Sequence, residues 1–147
     1  GRVSKIGSIN VKNPFSIQET SNLIHIVSTV EGDLKDDEDQ ISSLSAGFPA
    51  GTVSGAPKIR AMEIIDELEK EKRGIYAGAI GYFSANGDID TAIALRTAII
   101  KDKIMYVQAG GGVVYDSNEE YEYNETVNKS QALFTAAKDA LKNNSKE

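Results

Sequence analysis

At 147 residues, 40% hydrophobic and 26% charged, the chain is long enough for one packed domain and too short for a multi-module assembly. Lys and Arg number 16 against 22 Asp and Glu, a net charge of −6, which leaves no basic footprint for nucleic acid or an anionic membrane. The absence of cysteine and the presence of 1 histidine exclude disulfides, thiolate zinc sites and multi-histidine metal centres. No apolar run approaches the ~20 residues of a membrane span, and no charged-then-apolar leader opens the chain, so a soluble, cytoplasmic protein is expected. The opening residues 1–7 carry neither a start methionine nor a helix-capping signal, and read as an entry into the middle of a fold.

In chain order, residues 8–12 alternate polar and apolar, and residues 23–30 form a β-branched run, so both are predicted strands. Residues 31–40 are acidic and contain a glycine, which fits a solvated loop leading into a short helix over residues 41–46. Residues 48–58 are rich in Gly, Pro and small side chains. They run into a helical stripe of Ile59, Met62, Ile65 and Leu68, with Ser54 the expected N-cap, Pro57 in the first turn, and an end near Lys72 before Gly74. Three strands are predicted next, over residues 77–84, 91–101 and 104–109. Asn86-Gly87 turns the first pair and Lys101-Asp102-Lys103 the second, giving an antiparallel meander. A glycine loop over residues 110–117 leads to a terminal helix from about Asn118 to Leu141, with residues 142–147 as a fraying tail. The fold class is therefore α+β, an antiparallel sheet with flanking helices.

Chemistry is suggested at four places. Alternation over residues 91–100 puts Ile93, Leu95, Thr97 and Ile99 on one face and Ala92, Ala94, Arg96 and Ala98 on the other. Arg96 is then either an ordinary solvent-face cation or a fork for a planar carboxylate in a hollow left by alanines. On the terminal helix Glu122, Glu125 and Lys129 share a face that continues as Ala132, Leu133, Ala136 and Ala140. Acids near a helix start complement its dipole, which accounts for Glu119 and Glu120; Glu122 and Glu125 sit in the stripe itself, where a carboxylate pair also suits a hard cation such as Mg²⁺. Gly110, Gly111 and Gly112 permit close backbone approach to a ligand or a tight corner. The stretch from Gly51 to Lys58 lacks the spacing of a phosphate loop, which excludes nucleotide binding there. His25, amid aliphatic neighbours, reads from pattern alone as a structural histidine.

Residues 23–28, 48–58, 60–65, 73–78 and 93–96, with Gly110 to Gly112 and Glu122 and Glu125, resemble the chorismate-utilising enzymes over essentially the whole chain, and most of all their anthranilate synthase branch. The resemblance implies a two-sheet α/β sandwich of which this chain forms the C-terminal part. It implies that Tyr76 and Arg96 hold a substrate carboxylate, aided by the backbone of Gly110 to Gly112, with Lys129 near bound substrate. It implies that Glu125 ligates Mg²⁺ with support from Glu122, that His25 is a catalytic-site residue for loss of the enolpyruvyl group, and that Thr52 is a polar contact at the ring. The reaction so implied converts chorismate and ammonia, delivered by a glutamine amidotransferase partner, to anthranilate and pyruvate in tryptophan biosynthesis. Residues 50–54 match the anthranilate branch better than the aminodeoxychorismate branch, while Gly111 stands where the anthranilate branch often has alanine. Family members are about three times longer, and their upstream portion supplies another metal carboxylate. The expectation is thus an incomplete site with little activity alone, or, in a noncatalytic reading, a fragment whose site residues persist by descent; aminodeoxychorismate or isochorismate chemistry is the other enzymatic alternative.

Overall fold

The computed structural model describes residues 1–20 and 23–144; of the predicted tail, residues 145–147 lie outside the described residues. The elements are β1 (Asn10–Thr20), β2 (Leu23–Glu31), α1 (Gln40–Gly47), α2 (Gly51–Ser54), α3 (Lys58–Leu68), β3 (Ala79–Phe83), β4 (Ile89–Ile93), β5 (Ala98–Lys101), β6 (Ile104–Val107) and α4 (Glu119–Asn144). Short antiparallel sheets with helices make this an α+β fold, and it divides into two units, Gly1–Gly47 and Phe48–Glu147.

In the first unit β1 pairs with β2, and β1 runs well past the predicted residues 8–12. Pro14 argues against a strand because it lacks an N–H. A bulge accommodates it: Asn13, Pro14 and Phe15 together oppose Ser28, Asn13 and Phe15 turn to φ 46° and 52°, and the Phe15 N–H donates to Ser28 Oγ at 2.9 Å. Cross-strand register sorts the ribbon into two faces. Val11 opposite Val30, Ile17 opposite Ile26, and Ile24 form an apolar face, while Lys12 opposite Thr29 and Gln18 opposite His25 form a polar one. The acidic loop ends at Asp39, which caps α1: the Ser42 N–H donates to Asp39 Oδ1 at 2.7 Å and the Asp39 N–H donates to Ser42 Oγ at 2.8 Å.

In the second unit Ser54 does not cap α3. It closes α2 by donating from Oγ to the Ala50 carbonyl at 2.9 Å, and Pro57 takes the capping position of α3, where no donor of its own is lost. Helix α3 stops at Leu68, short of the expected Lys72, because Glu69 turns extended with its N–H on the Ile65 carbonyl, and its side chain pairs with Arg73 instead. The Asn86-Gly87 hairpin forms as expected, with Gly87 at φ 92°. Gly81 lets β3 and β4 close, since a Cβ there would stand 2.0 Å from the Asp90 carbonyl oxygen.

The predicted strand over residues 91–101 is broken, and with it the three-stranded meander. β3–β4 and β5–β6 are separate two-stranded ladders. At the break Ala94 donates to the Gly78 carbonyl and Ala77 donates to the Ala94 carbonyl, each at 2.8 Å, Leu95 folds back on the Ile93 carbonyl, and Arg96 takes φ 52°. Residues 94–97 follow these bonds rather than the ladder, so the alternation that paired Arg96 with Ala92 and Ala98 does not exist. Helix α4 begins as expected, with Asn118 Oδ1 accepting the Tyr121 N–H at 3.0 Å.

Only Ala77 and Ala94 are buried among the described residues, at 9% and 6% exposure. The chain exposes 12024 Å² of surface. Two separate closed units of these sizes would expose about 8,700 Å², so large apolar faces, including that of the β1–β2 ribbon, stand open.

The hydrogen bonds from Ser42 hold the Asp39 carboxyl below its usual range. A depressed carboxyl stabilises the fold above its unfolded pKa and loses that contribution as pH falls through the folded value. Following the Ser42 and Ser43 amide shifts by NMR on acidification should show α1 loosening below about pH 4, and Asp39→Ala should show the loosened pattern already at neutral pH.

Candidate functional site

The second unit contains a cavity of about 190 Å³ whose wall includes Thr52, Tyr76, Arg96, Gly110 and Lys129, five of the residues singled out in the sequence. Each arrives from a different element. Thr52 lies in α2, Tyr76 in the tight turns between α3 and β3, Arg96 at the break after β4, Gly110 in the loop after β6, and Lys129 on α4. Val53, Leu95, Val107 and Leu133 complete an apolar lining. The left-handed backbone at Arg96 is what turns its side chain to this wall instead of along a sheet face. Its guanidinium has no ion-pair or hydrogen-bond partner among the described residues, so a charged fork stands open on the cavity.

The glycine loop is held against this wall from two sides. A Cβ at Gly110 would meet the Tyr76 hydroxyl at 3.0 Å, so the bare backbone lets the phenol approach, and Lys129 Nζ donates to the Gly110 carbonyl at 3.1 Å. A Cβ at Gly111 would meet Glu122 Oε2 at 3.4 Å and Glu125 Oε2 at 3.6 Å, so both acids converge on the next residue of the loop. Among the described residues nothing stands within 4 Å of a Cβ at Gly112. Spacing i, i+3 on α4 puts the two carboxylates on one face, as the sequence predicts. The stripe beyond them is narrower than expected: Leu133 turns inward, while Ala132, Ala136 and Ala140 are exposed.

Lys129 Nζ also pairs with Glu125 Oε1 at 2.9 Å, and this contact is the main reason the Glu125 carboxyl lies below its usual range; a contact with Glu122 is a minor one. Glu122 Oε1 accepts from Ser117 Oγ at 2.8 Å, and Ser117 Oγ accepts the Val114 N–H at 2.9 Å, which ties the acid to the loop. Two adjacent carboxylates repel unless a proton or cation lies between them. With oxygen donors only and water to fill the remaining positions, the pair has the chemistry to hold a hard cation such as Mg²⁺. Among the described residues no third acid or histidine joins them.

His25 lies in the first unit, exposed on the polar face of the β1–β2 ribbon opposite Gln18. Sequence reasoning missed Gln108 on the cavity wall and Ser117 behind Glu122. The first is a polar residue directly after an apolar strand, and the second directly precedes the Asn118 cap; each is a weak signal. It also missed Arg73, whose side chain reaches Glu69, the Val53 carbonyl and the Tyr76 ring.

The model of a chorismate binding enzyme family matches residues 1–135. Anthranilate synthase component 1 of Cereibacter sphaeroides is 61% identical over 140 residues, covering 95% of this chain and 28% of that protein. The Aquifex aeolicus protein of the same name is 56% identical over 136 residues, 92% of this chain and 28% of its own length. Among solved structures, anthranilate synthase component I from Streptococcus pneumoniae matches at TM-score 0.86 and 53% identity over 89% of this chain and 30% of that one. A Bacillus anthracis chain assigned as a 2,3-dihydroxybenzoate-specific isochorismate synthase matches at TM-score 0.82 and 28% identity, covering 89% and 35%. The chain therefore spans a little over a quarter of the length of its curated relatives, and it belongs to the family of chorismate binding enzymes.

Proposed function

We propose that this chain forms one side of the active site of an anthranilate synthase large subunit, which converts chorismate and ammonia to anthranilate and pyruvate. The observation that carries the proposal is the single cavity wall on which the open guanidinium of Arg96, the Tyr76 hydroxyl and the Gly110 backbone meet, with the Glu122–Glu125 pair on the adjoining residue of the same loop. Chorismate carries two carboxylates, and the wall offers a different partner for each. Arg96 and Tyr76 would take one by charge-assisted hydrogen bonds. The other would face the acid pair through Mg²⁺, held by Glu125 and Glu122. When bound, Mg²⁺ would supply Lewis-acid stabilisation of charge developing on the substrate. Lys129 would keep Glu125 ionised and the Gly110 carbonyl turned away from the anion. Thr52, also on the wall, would contact the ring. His25 would assist departure of the enolpyruvyl group.

The identity of 53 to 61% to anthranilate synthases, against 28% to the isochorismate synthase, supports the anthranilate reaction over the isochorismate one. The surplus of open apolar surface and the 28% coverage of relatives support a chain that works joined to an upstream portion of the enzyme, with ammonia coming from a glutamine amidotransferase subunit. Among the described residues no helix is long and apolar enough to cross a membrane, and a cysteine-free chain is compatible with the reducing cytoplasm we propose as its setting.

Three outcomes are expected. The isolated chain, given chorismate, Mg²⁺ and ammonium, should release little pyruvate, and adding a separately expressed upstream portion should restore release and fluorescence of anthranilate; ordinary turnover by the chain alone would contradict the half-site. In the restored enzyme Arg96→Ala should weaken chorismate binding by about 1.5 to 3 kcal/mol, read by titration calorimetry. Glu125→Gln should weaken Mn²⁺ binding, measured by electron paramagnetic resonance with chorismate present, by roughly 10-fold or more, while leaving the thermal transition near its original temperature.

A further inference from the structure

Behind the cavity wall lies a cation that the site itself does not expose. Arg73 follows α3, and its guanidinium binds three partners at once. Nε and Nη2 grip the Glu69 carboxylate at 2.5 to 3.1 Å, Nη1 donates to the Val53 carbonyl at 2.5 Å, and the guanidinium carbon lies 5.5 Å from the centre of the Tyr76 ring. Two of those partners belong to separate parts of the wall. Val53 is the neighbour of Thr52 in α2, and Tyr76 is the phenol that meets Gly110. The side chain is 24% exposed and Glu69 35%, so the pair is partly withdrawn from water, where a fork of this geometry is strongest. No side chain with one point charge could make all three contacts, because the planar guanidinium offers donors on two edges and a face to the ring.

We propose that Arg73 is a positioning residue: held in place by Glu69, it clamps the Thr52–Val53 segment and the Tyr76 ring into one preorganised wall for the substrate carboxylate. The proposal rests on the chorismate reading above. Its consequence is a division of labour between two arginines: Arg96 meets the ligand, and Arg73 sets where the ligand's other partners stand. Loss of Arg73 frees the Tyr76 ring and the carbonyl at position 53 together, so ground-state binding weakens while the chemical step in bound substrate is spared.

The test combines two readouts. In the chain labelled with 3-fluorotyrosine, the Tyr76 resonance is assigned with Tyr76→Phe and followed by fluorine NMR. Arg73→Met should shift and broaden it, and Arg73→Lys, which keeps a cation over the ring, should shift it less; an unchanged resonance in both overturns the proposal. In the enzyme restored with its upstream portion, Arg73→Met should raise KM for chorismate about tenfold with kcat within about twofold, and Arg73→Lys should fall between. Equal KM values for unsubstituted, Lys and Met enzymes, or a loss confined to thermal stability, also overturn it. Absence of any chorismate response in the unsubstituted enzyme would instead remove the proposed function, while the fluorine signal would still decide whether Arg73 sets Tyr76.

Discussion

The site depends on one small contact, the paired hydrogen bonds between Ala77 and Ala94 and between Ala94 and Gly78, each 2.8 Å long. These two alanines are the only buried side chains among the described residues, and they sit where the chain leaves β4 and where it enters β3. The position immediately before Ala77 is Tyr76, and the second position after Ala94 is Arg96. The contact therefore ties the backbone beside the phenol to the backbone beside the guanidinium. Packing elsewhere in the unit is open. Precision is thus supplied by backbone hydrogen bonds at one point, and not by a surrounding core.

Charge is arranged around that point with the same economy. Arg96 faces the cavity with no partner among the described residues, Arg73 is neutralised by Glu69 behind it, and Lys129 is divided between Glu125 and the Gly110 carbonyl. Glu122 on α4 is held to the glycine loop by Ser117, so helix and loop are tied together. Together these contacts give a cationic cavity wall adjoined, at Gly111, by an acid pair. A ligand with two like-charged groups could satisfy both only if a cation intervenes at the acid pair, which is the electrostatic core of the chorismate and Mg²⁺ reading.

Features set by short-range chemistry were legible in the sequence. Asn86-Gly87 specified its hairpin, Asn118 marked the start of α4, and spacing i, i+3 placed Glu122 and Glu125 on one face. Features decided by tertiary hydrogen bonds were not. Residues 91–100 alternate without interruption, and only the bonds from Ala94 to Gly78 and from Ala77 to Ala94 show why the strand stops. Pro14 hid the length of β1, because a three-residue bulge opposite Ser28 is invisible to propensity. Arg73 stood between the expected helix end and Gly74 with no role assigned, and its part emerged only from the Val53 carbonyl, 20 residues away, meeting the same guanidinium as Glu69 and Tyr76.

The left-handed backbone at Arg96 carries a further consequence. A residue with a Cβ in that region costs about 1 to 2 kcal/mol relative to its usual conformation, and glycine would avoid the cost. Position 96 is therefore a place where folding and ligand recognition favour different amino acids. The backbone alone would favour glycine, and in the proposed function the guanidinium is what offsets that cost. At φ 52° the chain thus carries a long cation in a conformation that glycine would adopt more cheaply.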